Sequence, residues 1–160
     1  MANVYKDDQG DGGDFARAAG LLGGRATFRH GVANALAVHD LILAGFPGAA
    51  LTRLVSSVPI LQRPDVLERA VGISQRTLQR RKGEATAKAL SPEQSGRAWK
   101  FAEVLAQAIS VFGSQEEAER WLERPAIGLD QHRPIDLLAT PAGTELVEQH
   151  LERIAFGVYA

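Results

Sequence analysis

Between residues 65 and 83 the chain reads DVLERAVGISQRTLQRRKG, a run that gathers side chains able to hold an anion. A short helix over Asp65–Val71, a glycine at 72, apolar Ile73 and Ser74 lead into a second helix over Gln75–Lys82. That is the layout of a helix-turn-helix, whose second helix enters the major groove of DNA. If Leu78 is the buried residue, a rotation of about 100° per residue puts Arg76 and Arg80 on the opposite face. Thr77 and Gln79 flank them. Arginine can pair with guanine and glutamine with adenine, and either can hold phosphates. Arg81 and Lys82 fall towards the flank, where contact with the DNA backbone is expected. The candidate DNA-binding residues are therefore Gln75, Arg76, Thr77, Gln79, Arg80, Arg81 and Lys82. On these residues alone, an ordinary solvated basic helix fits equally well.

Other chemistries lack their residues. The absence of cysteine excludes disulfides, thiolate metal sites and cysteine nucleophiles. His30, His39, His132 and His150 do not have metal-ligand spacing. His39 and Asp40 are adjacent, so on a helix they point about 100° apart and form no dyad. The Asp- and Gly-rich opening (MANVYKDDQGDGG) lacks the spacing of a calcium loop. There is no nucleophile elbow, phosphate loop or dinucleotide fingerprint. The expectation is a protein without catalytic site, metal or cofactor.

Charge is unevenly spread, although the net is only −1. Residues 1–73 balance. Residues 74–100 carry seven bases (Arg76, Arg80, Arg81, Lys82, Lys88, Arg97, Lys100) against Glu84 and Glu93, and residues 101–160 carry ten acids against four bases. One region thus suits an anionic partner and the other does not, though two solvated faces would give the same pattern. No basic-then-apolar leader opens the chain, and no apolar run reaches the roughly 20 residues of a membrane span. A cytoplasmic protein is expected.

The elements that would position these groups are helices. Asp14 can cap one over Phe15–Leu22, ended by Gly23-Gly24. Val32–Ala44 has helical apolar spacing and stops at Gly45, and Pro47 opens another helix carrying Leu51, Leu54 and Val55. Ser91-Pro92-Glu93-Gln94 combines an N-cap serine, a first-turn proline and a reciprocal glutamine. The helix it starts runs to Phe112 with a stripe so broad that it must be central. Ser114 starts Gln115–Arg124, and Thr140-Pro141 starts a last helix to about Phe156. The fold class is all-α. A flexible segment over 1–27, a helix-turn-helix domain over 28–90 and a C-terminal domain over 91–160 are expected.

From Gly72 onwards several short motifs follow one another. GISQRTLQRRK is followed by Leu90-Ser91 with Ser95, by Val111-Phe112-Gly113, and by Ala118 with Trp121-Leu122 and Pro125. Then come Arg133-Pro134 with Asp136-Leu137-Leu138, Thr140 and Gly143, and finally Arg153-Ile154 with Gly157-Val158-Tyr159. Across roughly 90 residues this resembles the Xre/ParS-type antitoxins of RES–Xre toxin–antitoxin modules. The resemblance implies that the C-terminal domain binds and blocks a RES-domain toxin, a family associated with destroying NAD. It also implies that the helix-turn-helix domain, usually dimeric, binds and represses the module's promoter. A stand-alone regulator without a toxin is the competing reading.

The resemblance places toxin contacts at Trp121, Leu122, Ile135, Leu137, Leu138, Arg153, Gly157, Val158, Tyr159 and Ala160. Each has a structural alternative. Trp121-Leu122 suits core packing or an interface anchor. Arg133 and Asp136 suit a local ion pair holding their loop. The apolar Ile154–Ala160 run either folds back or docks into a partner. A homodimer through Val32–Val58 is expected because that stretch has more apolar residues than one face needs.

Overall fold

The computed structural model describes residues 9–83 and 88–157, and within them every regular element is a helix. The order is α1 (Gln9–Leu21), α2 (Ala35–Ala44), α3 (Gly48–Ser57), α4 (Pro64–Val71), α5 (Gln75–Lys82), α6 (Pro92–Phe112), α7 (Gln115–Leu122), α8 (Pro134–Leu137) and α9 (Pro141–Ala155). Short 3-10 turns lie at Gly24–Ala26, Pro59–Gln62 and Ile127–Leu129.

α6 is the axis of the fold. Its start is fixed by the reciprocal cap read from the sequence: Gln94 N donates to Ser91 Oγ and Ser91 N to Gln94 Oε1, both at 3.1 Å. Ala98, Trp99, Phe101, Ala102, Val104, Leu105, Ala106, Ala108 and Ile109 are all buried, more than one face of a helix can hold. α1, α2, α3, α4, α7 and α9 surround it. Gly113 ends it in the left-handed conformation at φ 91°.

α1 corrects one expectation. The segment over 1–27 expected to be flexible carries a helix that starts at Gln9, ahead of the Phe15 start read from Asp14. Gly10, Gly12 and Gly13 weaken local helix propensity, but packing on α6 outweighs that cost. Ala18, Ala19, Leu21 and Leu22 are buried, and Phe15 meets Trp99 at 5.8 Å. Ser110 Oγ donates to Asp14 Oδ1 at 2.6 Å and accepts from Arg17 Nη1 at 2.8 Å. The Met1–Asp8 portion of that segment lies outside the described residues.

α2 starts at Ala35, three residues later than expected, because Asn34 Oδ1 caps it by accepting from Ala37 N at 2.9 Å. Beyond Gly45, the chain is held to α6: Phe46 N donates to the fully buried Ser95 Oγ at 2.8 Å, and Phe46 O accepts from Leu90 N at 2.8 Å. Ser95 thus ties the link between α2 and α3 to α6.

Gly143 in the Thr140-x-x-Gly motif also has a packing reason. A Cβ there would stand 2.1 Å from the Leu137 carbonyl oxygen, so α8 and α9 touch backbone to backbone. Gly143→Ala should destabilise the protein by about 1–3 kcal/mol or more, the range of core overpacking. An unchanged denaturant midpoint would count against this contact.

Candidate nucleic-acid and partner interfaces

The helix-turn-helix forms as the sequence indicated. α4 ends at Gly72, left-handed at φ 73°, whose N–H bonds Glu68 O at 2.9 Å. Ile73 and Leu78 plug the core at 2% and 1% exposure. Ser74 caps α5 by accepting from Thr77 N at 3.1 Å, and its hydroxyl also donates to Thr77 Oγ1 at 3.0 Å.

With Leu78 inward, Arg76, Gln79, Arg80 and Lys82 stand exposed. The other three candidates turn partly inward. Thr77 belongs to the cap, and Gln75 is half-buried with Oε1 enclosed and unpaired among the described residues. Arg81 is half-buried, donating to Lys88 O at 2.9 Å and to Gln94 Oε1 at 3.3 Å. Arg81 therefore fastens the end of α5 to the cap of α6. No long-range signal in the sequence distinguishes it from Arg80. The link residues 84–87 lie outside the described residues.

The C-terminal side sorts its candidates just as sharply. Leu122 and Ile135 are fully buried and Leu138 is 5% exposed, so these three pack in the core. Leu137 is half-buried. Trp121 is half-buried, stacking on His150 with ring centroids 6.0 Å apart and packing against Phe112 at 5.2 Å. Burial in this stack, with Arg153 nearby, pushes the His150 pKa down. Arg153 and Gly157 are exposed, while Val158, Tyr159 and Ala160 lie outside the described residues.

The sequence reading missed the exposed apolar groups here. Ile127 and Phe156 are 81% and 83% exposed, and Leu146 also faces solvent. The Ile127–Leu129 turn packs on α9, with Gly128 so close to the His150 ring that a Cβ would come within 2.4 Å of it. Ile127 therefore stands beside α9, whose last turn leads to Phe156. Leu146 could have been found from the helical wheel, since it lies off the Gly143–Val147–Leu151 stripe.

Polar contacts join the two halves. Arg133 grips Asp136 through two bonds of 2.9 and 3.0 Å, the local pair expected, and Asp136 also holds Arg69 on α4. The Arg133 bonds, aided by Arg69, keep the Asp136 carboxyl below its ordinary range. From α7, Glu119 accepts from Ile60 N at 3.0 Å, Gln115 donates to Ser57 O at 2.7 Å, and Glu123 pairs with Arg63. Burial pushes the Glu119 pKa up against the effect of these bonds.

An exposed cationic second helix, braced on a helical core that continues into a second helical unit, defines a helix-turn-helix protein. Comparison with known proteins makes this specific. Residues 37–103 match the antitoxin Xre-like helix-turn-helix domain and residues 107–157 match the antitoxin Xre/MbcA/ParS C-terminal toxin-binding domain. An Antitoxin Xre of Pseudomonas putida is 31% identical over 126 residues, covering 79% of this chain and 76% of that protein. An Antitoxin Xre of Yersinia enterocolitica is 30% identical over 131 residues, covering 72% of this chain and 87% of that protein. The chain belongs to the Xre/ParS-type antitoxin family, which points to a regulator and away from an enzyme. The two matched segments meet inside α6, so one helix serves both domains. No single helix among the described residues is long and apolar enough to cross a membrane.

Proposed function

We propose that this chain is the antitoxin of a two-gene module, neutralising a RES-domain toxin that destroys NAD and repressing its own promoter. One observation carries the reading: α5 offers exposed Arg76, Gln79 and Arg80, while Ile127, Arg153 and Phe156 stand exposed within the segment matching a toxin-binding domain. The acidic balance of residues 101–160 disfavours DNA as the ligand of that second surface. A homodimer forms through α2, where Leu36 and Leu43 are 69% and 61% exposed and two helical turns apart.

Sequencing the neighbouring frame for a RES-type protein, and co-expressing the chain with it, tests the main reading. Growth and cellular NAD should be preserved with the full chain and lost without it. A chain that leaves NAD consumption unchanged would be a stand-alone regulator. The dimer has its own test, because a repressor reading paired half-sites requires two copies. Leu36→Glu with Leu43→Glu should give a monomer by light scattering that keeps its helical circular dichroism and loses operator affinity. A wild-type chain that is strictly monomeric at tens of micromolar would refute the dimer.

A further inference from the structure

We propose that Arg97 is a positioning residue for the DNA-reading helix, setting the direction of α5 without touching DNA. This rests on the reading of α5 as the operator-binding element.

α5 has little packing of its own to fix its direction. It is eight residues long, and Leu78 is the one side chain among them that is fully buried. Its orientation therefore depends on what holds its two ends. Arg81 ties the far end to Lys88 and Gln94. At the near end stands the turn at Gly72, and Arg97 braces that turn.

The last carbonyls of a helix have no partner inside it, and a cation there is favoured by the helix dipole. Arg97, projecting from α6, donates from Nη2 to Arg69 O in the last turn of α4 at 2.6 Å. The same nitrogen reaches Leu138 O at the end of α8 at 3.4 Å. Its other terminal nitrogen lies against Gly72, so closely that a Cβ on that glycine would come within 2.4 Å of Nη1. Gly72 is thus required twice, by its positive φ and by the guanidinium beside it.

The brace is anchored at both sides. On α6, Arg97 lies two residues from Ser95, which is bonded to Phe46 N. On α8, Asp136 grips the Arg69 side chain while Arg97 takes the Arg69 carbonyl, so α4 is held through two groups of one residue. Beside this contact a groove of about 730 Å³, lined by Ala70, Arg97, Leu138 and Thr140 among others, opens between α6 and α9. Without the guanidinium, the turn would keep its apolar anchors Val71 and Ile73 but lose the polar contact that sets its position against α6.

The test compares Arg97→Gln and Arg97→Lys in the full chain with wild type, by fluorescence anisotropy against upstream DNA and unrelated DNA over a range of salt. Arg97→Gln should lose roughly tenfold in affinity for upstream DNA, the scale of one mis-set base contact. Its affinity for unrelated DNA and its salt slope should be unchanged, since no phosphate contact is lost. Toxin pull-down should also be unchanged. Arg97→Lys, which keeps the charge and can reach the Arg69 carbonyl, should recover part of the loss.

Wild-type affinity in a folded Arg97→Gln chain overturns the proposal. So does a salt slope reduced by about one unit, which would make Arg97 a phosphate contact. Equal losses on both DNAs together with loss of toxin binding, in both variants, would make it a general structural residue and also overturn the proposal. If wild type itself prefers upstream DNA no more than unrelated DNA, the operator reading fails first, and that result is separable from the others.

Discussion

Replacing Arg76 and Arg80 together with alanine should weaken binding to the chain's upstream DNA by about 1–3 kcal/mol for each arginine that reads a base edge. Both side chains stand exposed on the face opposite Leu78, so their loss leaves the core contacts of α5 intact. The variant should keep its circular dichroism and thermal midpoint. Its salt slope should also fall, by about one unit for each arginine that instead holds a phosphate. Arg81→Ala gives the contrasting control. Because Arg81 bonds Lys88 O and Gln94, its removal should lower the thermal midpoint. A folded Arg76→Ala, Arg80→Ala chain that shifts upstream DNA with wild-type affinity would remove α5 from the interface.

What the sequence made legible follows from how local each cause is. The caps at Ser74, Ser91, Ser114 and Thr140 act over three residues, and all four stand where the residue order placed them. The Leu78 plug and the opposite arginine face need only helix geometry. Arg81 and Arg80 look alike in sequence, however, and what separates them is the position of Lys88 and Gln94 in space. Leu122, Ile135 and Leu138 were assigned to a partner surface through resemblance, which carries no information about burial. In the fold all three side chains are buried. The early start of α1 was illegible for the opposite reason: its glycines disfavour a helix locally, and the compensation comes from α6, some ninety residues away.

Truncation after Phe156 should leave the toxin complex formed and the toxin active, separating binding from inhibition. The last helix supplies a fixed base for such a plug. Thr140 caps α9 at its start, and Gly143, Val147 and Leu151 are buried along its length. Gly157 then takes φ 69°, which lets the chain leave the helix sharply before Val158, Tyr159 and Ala160. A short segment on a rigid base loses little further ordering entropy on entering a pocket. On the proposed function, docking and inhibition would fall to different residues. Ile127 and Phe156 expose large apolar groups, whose burial by a partner would be favourable. Ile127→Asp with Phe156→Asp should therefore weaken the complex itself by about 2 kcal/mol or more, the cost expected of central interface anchors. Titration calorimetry would measure complex formation for both variants, and NAD consumption would measure inhibition. If the truncated chain still silences the toxin, the inhibitory contact lies on the folded surface. If the aspartate pair binds as wild type does, the toxin docks elsewhere on the domain.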